Sequence, residues 1–127
     1  MFIKRAIHLR SFDNKRYYFY AHLRRNYPYA KNIYTGKRVN AGDVIGYVGR
    51  TGYSRVENTN NIEISHLHIG VQLIFDESQK EGTNQIWINF YELSKLLLKN
   101  KAEVERVGDG KEFRRKYEFY EWPCFKA

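Results

Sequence analysis

The sequence of 127 residues contains no second cysteine, no long apolar run and no signal-peptide pattern. Cys124 is the only cysteine, so no internal disulfide can form, and we expect its side chain to be a half-buried apolar group beside Trp122 and Pro123. No apolar run is long enough to span a membrane. Residues 1–6 contain neither the apolar stretch nor the small-residue cleavage site of a signal peptide.

Acidic residues are also scarce. The 14 Asp and Glu residues face 22 Lys and Arg residues, which gives a net charge of +8 and an isoelectric point near 9.6. A positive balance of this size favours a polyanionic neighbour, such as an anionic cell-wall polymer, a membrane surface or nucleic acid. The basic residues occur as scattered pairs and triplets, so we expect most of them to be solvated surface, and nucleic acid is the least favoured of these partners.

What the chain does contain is typical of a single, mainly β domain. Hydrophobic residues make up 43% of it and aromatic residues 17%, which suits half-buried strands. Alternating patterns predict an antiparallel sheet from residues 3–9, 16–22, 44–48 and 62–73, the first two joined as a hairpin through Asp13-Asn14. The glycines at 46, 49 and 52 indicate sharp bends or close packing rather than a phosphate-binding loop, because no Gly-Lys-Ser/Thr sequence follows.

A single helix is predicted for residues 89–100, because Asn89 and Glu92 have the spacing of a capping box. An apolar stripe at helical spacing is expected to pack against the rest of the domain: Phe90, Leu93, Leu96 and Leu97. The remaining segment, 101–127, is charged up to about residue 116, where we expect it to be mobile. Its aromatic end is expected to dock on the body of the protein through four side chains: Tyr117, Phe119, Tyr120 and Trp122.

Three of the four histidines occur in two short motifs, Tyr-Ala-His-Leu at 20–23 and His-Leu-His at 66–68. Because successive side chains of a strand alternate, His66 and His68 are predicted to share one face, opposite the apolar side chains at 67, 69, 71 and 73. The same alternation groups His22 with Tyr18 and Tyr20 in a row that lines a groove. Imidazoles on such a face can bind a metal or transfer protons, whereas a histidine packed among tyrosines would be structural.

These motifs resemble those of the lysostaphin-type, or LytM-like, zinc metallopeptidases, which cut peptide cross-links in bacterial cell walls. The resemblance covers residues 7–98, and its strongest parts are Tyr-Ala-His-Leu at 20–23, Val-Asn-Ala-Gly-Asp-Val-Ile-Gly at 39–46, Gly-Arg-Thr-Gly at 49–52 and His-Leu-His-Ile-Gly at 66–70. It implies an antiparallel barrel-sandwich of the duplicated hybrid type with one C-terminal helix. It also implies zinc as the cofactor, peptidoglycan peptide as the substrate, and an extracellular or cell-envelope location.

By the same resemblance, His68 would be a zinc ligand, His66 the general base or water-orienting residue, and His22 the group that stabilises the developing oxyanion. The family's other two protein ligands come from an upstream His-x-x-x-Asp motif. This chain does not contain one, since the residue four positions after His8 is a phenylalanine and the one after His22 is an asparagine. We therefore expect residues 1–100 to be a truncated peptidase domain, incomplete at its N-terminus, that binds zinc weakly and is inactive alone.

Other interpretations of the same sequence remain open. A non-catalytic LytM-like module that binds or regulates other wall hydrolases would also lack zinc ligands, although such modules tend to lose the His-x-His as well. A basic barrel that binds an anionic polymer is suggested by the charge alone. A lipoyl-type carrier domain has a strand and turn with a sequence pattern like that of residues 39–46, but it would need a lysine at the 49–52 turn. If strands are missing, an exposed sheet edge is expected to favour self-association.

Overall fold

An open antiparallel sheet of four strands organises the protein in its computed structural model, which describes residues 4–60, 63–80 and 83–118. The strands lie side by side in the order β1 to β4: Ala6–Arg10, Arg16–Ala21, His68–Leu73 and Ile86–Trp87. A second sheet pairs β5, Val104–Arg106, with β6, Phe113–Arg115. The helices are α1, Tyr91–Lys99, and a short 3-10 helix, Glu77–Lys80. The mainly β prediction is confirmed, and over the described ranges the sheet does not close into a barrel.

Strands β1 and β2 form the hairpin that the sequence predicts. The Ser11 N–H donates to the Arg16 carbonyl at 3.0 Å, and Asn14 adopts the left-handed conformation with a φ of 58°. Asparagine tolerates this conformation better than most residues, so the Asp13-Asn14 pair can close the turn. The strand predicted for residues 3–9 is observed at Ala6–Arg10, and residues 1–3 lie outside the described ranges.

The register of the sheet divides its side chains between two faces. One face, here called the apolar face, carries side chains from all three longer strands: Ile7, Leu9, Tyr18, Tyr20, Ile69 and Val71. The other, here called the histidine face, carries His8, Phe19 and His68. The prediction that Tyr18 and Tyr20 form one row with the histidine site is therefore wrong, because strand pairing places both tyrosines on the opposite side of the sheet from His68.

Residues 44–48 do not form the predicted strand. They meet the segment 23–30 only through single bridges, from Leu23 to Val48 and from Tyr29 to Gly46. The Tyr47 N–H donates to the Pro28 carbonyl at 3.0 Å, but Pro28 has no N–H to return, so a continuous ladder cannot form. Tyr47 is nevertheless part of the buried hydrophobic core of the described residues: Ile7, Ala21, Leu23, Ala30, Tyr47, Val71 and Ile74.

Strand β3 is shorter than predicted because the chain turns just before it. Residues 62–73 were the expected strand, and the observed one is His68–Leu73. Asn60 holds the turn: its Oδ1 accepts the Glu63 N–H at 2.6 Å, and its Nδ2 donates to the Ile64 carbonyl at 3.0 Å. Glu63 adopts a left-handed φ of 62°, which cannot continue a strand. His66 therefore precedes β3, and residues 61 and 62 lie outside the described ranges.

Helix α1 confirms the predicted helix but not its capping box. Asn89 lies just before the helix, where its Oδ1 accepts the Tyr91 N–H at 3.1 Å. Glu92 forms an ion pair with Lys95 at 3.1 Å and so does not reach back to complete the box. Phe90 occupies the capping position without a side-chain hydrogen bond. No helix in the described ranges is long and apolar enough to cross a membrane.

The apolar stripe of α1 borders an open groove, and no residue of the helix is buried. The groove has a volume of about 1360 Å³ and separates the helix from the apolar face of the sheet. Phe90, Leu93 and Leu97 line its helical side, and Tyr18, Tyr20 and Ile69 are among the residues on its sheet side. The expectation that this stripe is packed is therefore wrong, because the two apolar surfaces face each other across a gap.

Strands β5 and β6 give structure to a segment that was expected to be mobile. Glu112 connects this hairpin to two distant segments of the chain: it accepts hydrogen bonds from the hydroxyls of Tyr27, at 2.7 Å, and Tyr47, at 3.0 Å. Arg115 adds a hydrogen bond to the Ala41 carbonyl at 2.7 Å. Because these contacts span more than sixty residues of sequence, charge patterning alone could not reveal them. The expected docking of Tyr117 is wrong, because its side chain is exposed, and that of Phe119, Tyr120 and Trp122 lies outside the described residues, as does Cys124.

Candidate functional site

The backbone conformation of His22 decides where its imidazole lies. Strand β2 ends at Ala21, which pairs with His68 across the sheet. If the alternation of β2 continued, His22 would share the apolar face with Tyr20. Instead His22 adopts a left-handed φ of 61°, which is uncommon for a residue other than glycine. This turn brings its ring to the histidine face, beside His66 and His68.

The three imidazoles converge, as the resemblance implies. The ring centroid of His22 lies 4.7 Å from that of His66 and 5.6 Å from that of His68. The planes of the first pair meet at 51° and those of the second at 33°, so the rings are tilted against each other rather than stacked flat. We call His22, His66 and His68 the histidine cluster.

Hydrogen bonds select the tautomer of two members of the cluster. Nδ1 of His22 lies 2.6 Å from the Thr51 carbonyl oxygen, and Nδ1 of His66 lies 2.8 Å from the Ile64 carbonyl oxygen. A carbonyl oxygen only accepts, so each Nδ1 must carry the proton and donate it. In the neutral rings, Nε2 is then the nitrogen with a free lone pair. Both side chains are thus prepared to accept a proton or bind a cation through Nε2.

The Gly-Arg-Thr-Gly loop at 49–52 holds His22 in this conformation. The Gly49 N–H donates to the His22 carbonyl at 2.8 Å, and the buried Thr51 hydroxyl donates to the Leu23 carbonyl at 2.6 Å. The same hydroxyl accepts the Arg5 N–H at 3.0 Å. A Cβ atom on Gly49 would lie 2.5 Å from the Arg24 Cα, so only glycine allows the loop to approach this closely. The loop therefore fixes both the backbone and the ring of His22.

Burial and nearby positive charge favour the neutral form of His68. Burial lowers the pKa of His68, and the positive charge of Lys4 together with the neighbouring His22 and His66 lowers it further. A neutral imidazole has the protonation state that metal binding requires. His68 thus has the character expected of a metal ligand, and a fall in pH would oppose that role.

Several residues of this face were not identified from the sequence. His8 lies 4.9 Å from Phe19, and Phe19 meets His68 edge-on at 5.6 Å, measured between ring centroids. Lys4 completes the row, with its Nζ 4.8 Å from the centre of the Phe19 ring and 5.2 Å from that of Tyr53. The hairpin register could have placed His8 beside Phe19. The contact of Lys4 with Tyr53 could not be anticipated, because the two lie far apart in sequence.

The histidine cluster is not a preformed metal site among the described residues. In residues 4–60, 63–80 and 83–118, no group of three or more His, Cys, Asp or Glu side chains is already arranged to hold a metal ion.

Comparisons with protein families, with curated proteins and with solved structures find no match to this chain. What the cluster does must therefore be inferred from its own residues and geometry.

Proposed function

We propose that this protein is a LytM-like peptidase-type domain that acts on peptide cross-links of the bacterial cell wall, in the cell envelope or outside the cell. The observation that carries the proposal is the convergence of His22, His66 and His68, with ring centroids 4.7 and 5.6 Å apart. Motifs separated by more than forty residues of sequence supply these rings. A strained backbone at His22 is needed to bring them together, and such strain is commonly found at functional sites.

The hydrogen bonds of the cluster bear on the role that each histidine would have. His66 has its free lone pair on Nε2 and can accept a proton as the general base. His22 donates through Nδ1 to Thr51, so it can stabilise a developing oxyanion through Nε2–H only when its ring is protonated. The two roles thus place different demands on Nε2: a lone pair on His66 and a proton on His22.

Zinc suits the remaining member, since His68 is a neutral imidazole and zinc binds nitrogen ligands readily. When bound, zinc would supply a Lewis acid that polarises the scissile carbonyl. One family-type ligand is too few for tight binding, because affinity falls with each lost ligand. We therefore propose that the chain carries the His-x-His half of the site and that a His-x-x-x-Asp segment must complete it.

The finer fold belongs to the same proposal. We infer that the open sheet is part of a LytM-like barrel-sandwich whose closure requires additional strands. The edge position of β1 in the described sheet and the groove of about 1360 Å³ support this inference. Exposed edges and apolar grooves favour pairing with another chain, so the protein should self-associate. Sedimentation velocity at several concentrations tests this, and a compact monomer that binds no hydrophobic dye would contradict it.

Activity is tested by placing a His-x-x-x-Asp segment of the family type ahead of residue 1. Calorimetric zinc titration and release of soluble peptide from purified peptidoglycan are measured for both proteins. The original chain should bind zinc weakly and release nothing, whereas the fused protein should do both. In the fused protein, His68→Ala should abolish zinc binding, while His66→Ala and His22→Ala should mainly lower turnover.

His8→Ala is the matched control for these variants, because His8 shares the histidine face but lies outside the cluster. It should leave zinc binding and peptide release unchanged. Tight zinc binding and hydrolysis by the original chain would contradict the account of the missing ligands.

A second function, as a non-catalytic LytM-like module that binds or regulates wall hydrolases, is favoured by one observation: the sequence contains no His-x-x-x-Asp motif. If the fused protein neither binds zinc nor releases peptide, this binding function replaces the enzymatic one. Co-sedimentation with purified peptidoglycan would then be the appropriate assay, since a wall-binding module retains it without catalysis.

A further inference from the structure

A cation lies between two aromatic rings next to the histidine cluster. The Lys4 Nζ is 4.8 Å from the centre of the Phe19 ring and 5.2 Å from the centre of the Tyr53 ring. Phe19 in turn contacts His68, with ring centroids 5.6 Å apart. The ammonium group thus lies one aromatic ring away from the cluster, on the same face of the sheet.

The charge of Lys4 has no acidic partner. Among the described residues, no carboxylate lies within ion-pair distance of its Nζ, although eight other ion pairs form elsewhere. Burial lowers the pKa of Lys4, and no neighbouring acid acts against this effect. Lys4 is half-buried, and its contacts with two aromatic rings offset part of the cost of removing the ammonium from water, but no carboxylate among the described residues neutralises its charge.

A second basic residue, Arg50, also has a polar atom without a partner in the described structure. The Nε atom of Arg50 is buried and has no hydrogen-bond partner within the described part of the chain. The backbone on either side of Arg50 is bonded to His22, through the Gly49 N–H at 2.8 Å and the Thr51 carbonyl at 2.6 Å. Lys4 therefore borders the cluster without an acidic partner in the described ranges, and the loop bonded to His22 carries a second basic residue.

We propose that Lys4, between the rings of Phe19 and Tyr53, is a subsite for the free carboxylate of a peptide ligand bound at the histidine cluster. The proposal rests on the proposed function in that the ligand is a peptide. A lysine ammonium is a compact point charge that matches a single carboxylate, whereas a phosphate is better held by an arginine fork. The aromatic walls suit the methylene groups that flank a peptide carboxylate. Lys4 is thus a specificity-determining residue that fixes where the end or acidic side chain of a peptide lies.

The probe is acetyl-triglycine, which has a free terminal carboxylate and no side chains, compared with its C-terminal amide. Binding is followed by NMR chemical-shift changes of Phe19, Tyr53 and the Lys4 side chain, in chelator-treated protein without zinc. The acid should bind about tenfold more tightly than the amide, the ratio expected for one charge-assisted hydrogen bond. Lys4→Gln should remove that preference, and Lys4→Arg should retain it.

Lys15→Gln is the matched control, because Lys15 is an exposed lysine in the β1–β2 turn without a side-chain contact in the described structure; it should retain the preference. Equal affinity of wild type for acid and amide would overturn the proposal even if Lys4→Gln failed to fold. So would a Lys4→Gln protein that keeps the tenfold ratio. If inorganic phosphate displaced the probe at lower concentration than acetyl-triglycine itself binds, a phosphate-bearing polymer would replace the peptide as the ligand. Because zinc is absent throughout, loss of the metal-dependent function would leave this outcome unchanged.

Discussion

Replacing Thr51 by valine should destabilise the protein and release His22 together. The substitution keeps the shape of a buried side chain but removes its hydroxyl. Two hydrogen bonds disappear, the 2.6 Å donation to the Leu23 carbonyl and the 3.0 Å bond from the Arg5 N–H. At about 1 kcal/mol for each bond, with an added cost for an unpaired N–H, the free energy of unfolding should fall by about 2–3 kcal/mol. That is a large part of the ~5–15 kcal/mol that stabilises a typical domain.

Urea denaturation of wild type, Thr51→Val and Thr51→Ser measures the effect. Thr51→Ser keeps both hydrogen bonds and should lose only about 1 kcal/mol for its missing methyl group. Thr35→Val, at an exposed position, controls for the change of residue type and should stay within about 0.5 kcal/mol of wild type. Without these two side-chain bonds, the loop holds the Thr51 backbone carbonyl less firmly against His22, so nitrogen NMR of Thr51→Val should show a mixture of tautomers. Equal stability of Thr51→Val and Thr35→Val would refute the reasoning.

The remaining predictions concern packing, charge and pH. Gly49→Ala should lower the free energy of unfolding by about 2 kcal/mol or more, because its Cβ would lie 2.5 Å from the Arg24 Cα. Gly110→Ala is the control and should change this free energy little, since no atom would lie closer than 3.9 Å to its Cβ. Chemical denaturation of both variants measures the difference. Glu112→Gln should return the pKa of Tyr27 from about 12 towards 10, since the hydrogen bond to the Glu112 carboxylate is the main cause of the increase, and carbon NMR of labelled tyrosine would detect this. Acidification should destabilise the protein through His68. Its pKa is lowered in the folded state, so the unfolded chain takes up the proton first, and stability falls as the pH drops below the usual histidine range towards the lowered pKa. His68→Gln should flatten that pH dependence of the unfolding free energy; an unaltered dependence would be the contrary result.

Local signals in the sequence predicted the parts of the fold that local interactions determine. The turn chemistry of Asp13-Asn14 gave the β1–β2 hairpin, and helical spacing gave α1 to within two residues at each end. The strand predicted at 44–48 failed because its neighbour contains Pro28, which interrupts the ladder. Sequence alternation shows which faces a strand could offer, but it does not show which segment will pair with it.

The geometry of the candidate site, too, depends on contacts between distant segments that local sequence patterns do not show. The convergence of His22 with His66 and His68 followed from the resemblance, whereas alternation alone would have placed His22 on the opposite face. The left-handed turn at His22 depends on the 49–52 loop, which lies more than twenty-five residues further along the chain. Lys4 and Glu112 act through contacts between distant segments, and neither is part of a recognisable motif.

Nitrogen-detected NMR of the histidine rings during a zinc titration tests the central claim most directly. Without zinc, His22 and His66 should both show the tautomer protonated at Nδ1, as their bonds to the Thr51 and Ile64 carbonyls require. On addition of zinc, His68 and its two neighbours should shift together along a single weak binding curve, while His8 stays unchanged. Independent responses of the three rings, or a response of His8 equal to theirs, would contradict a single site built from His22, His66 and His68.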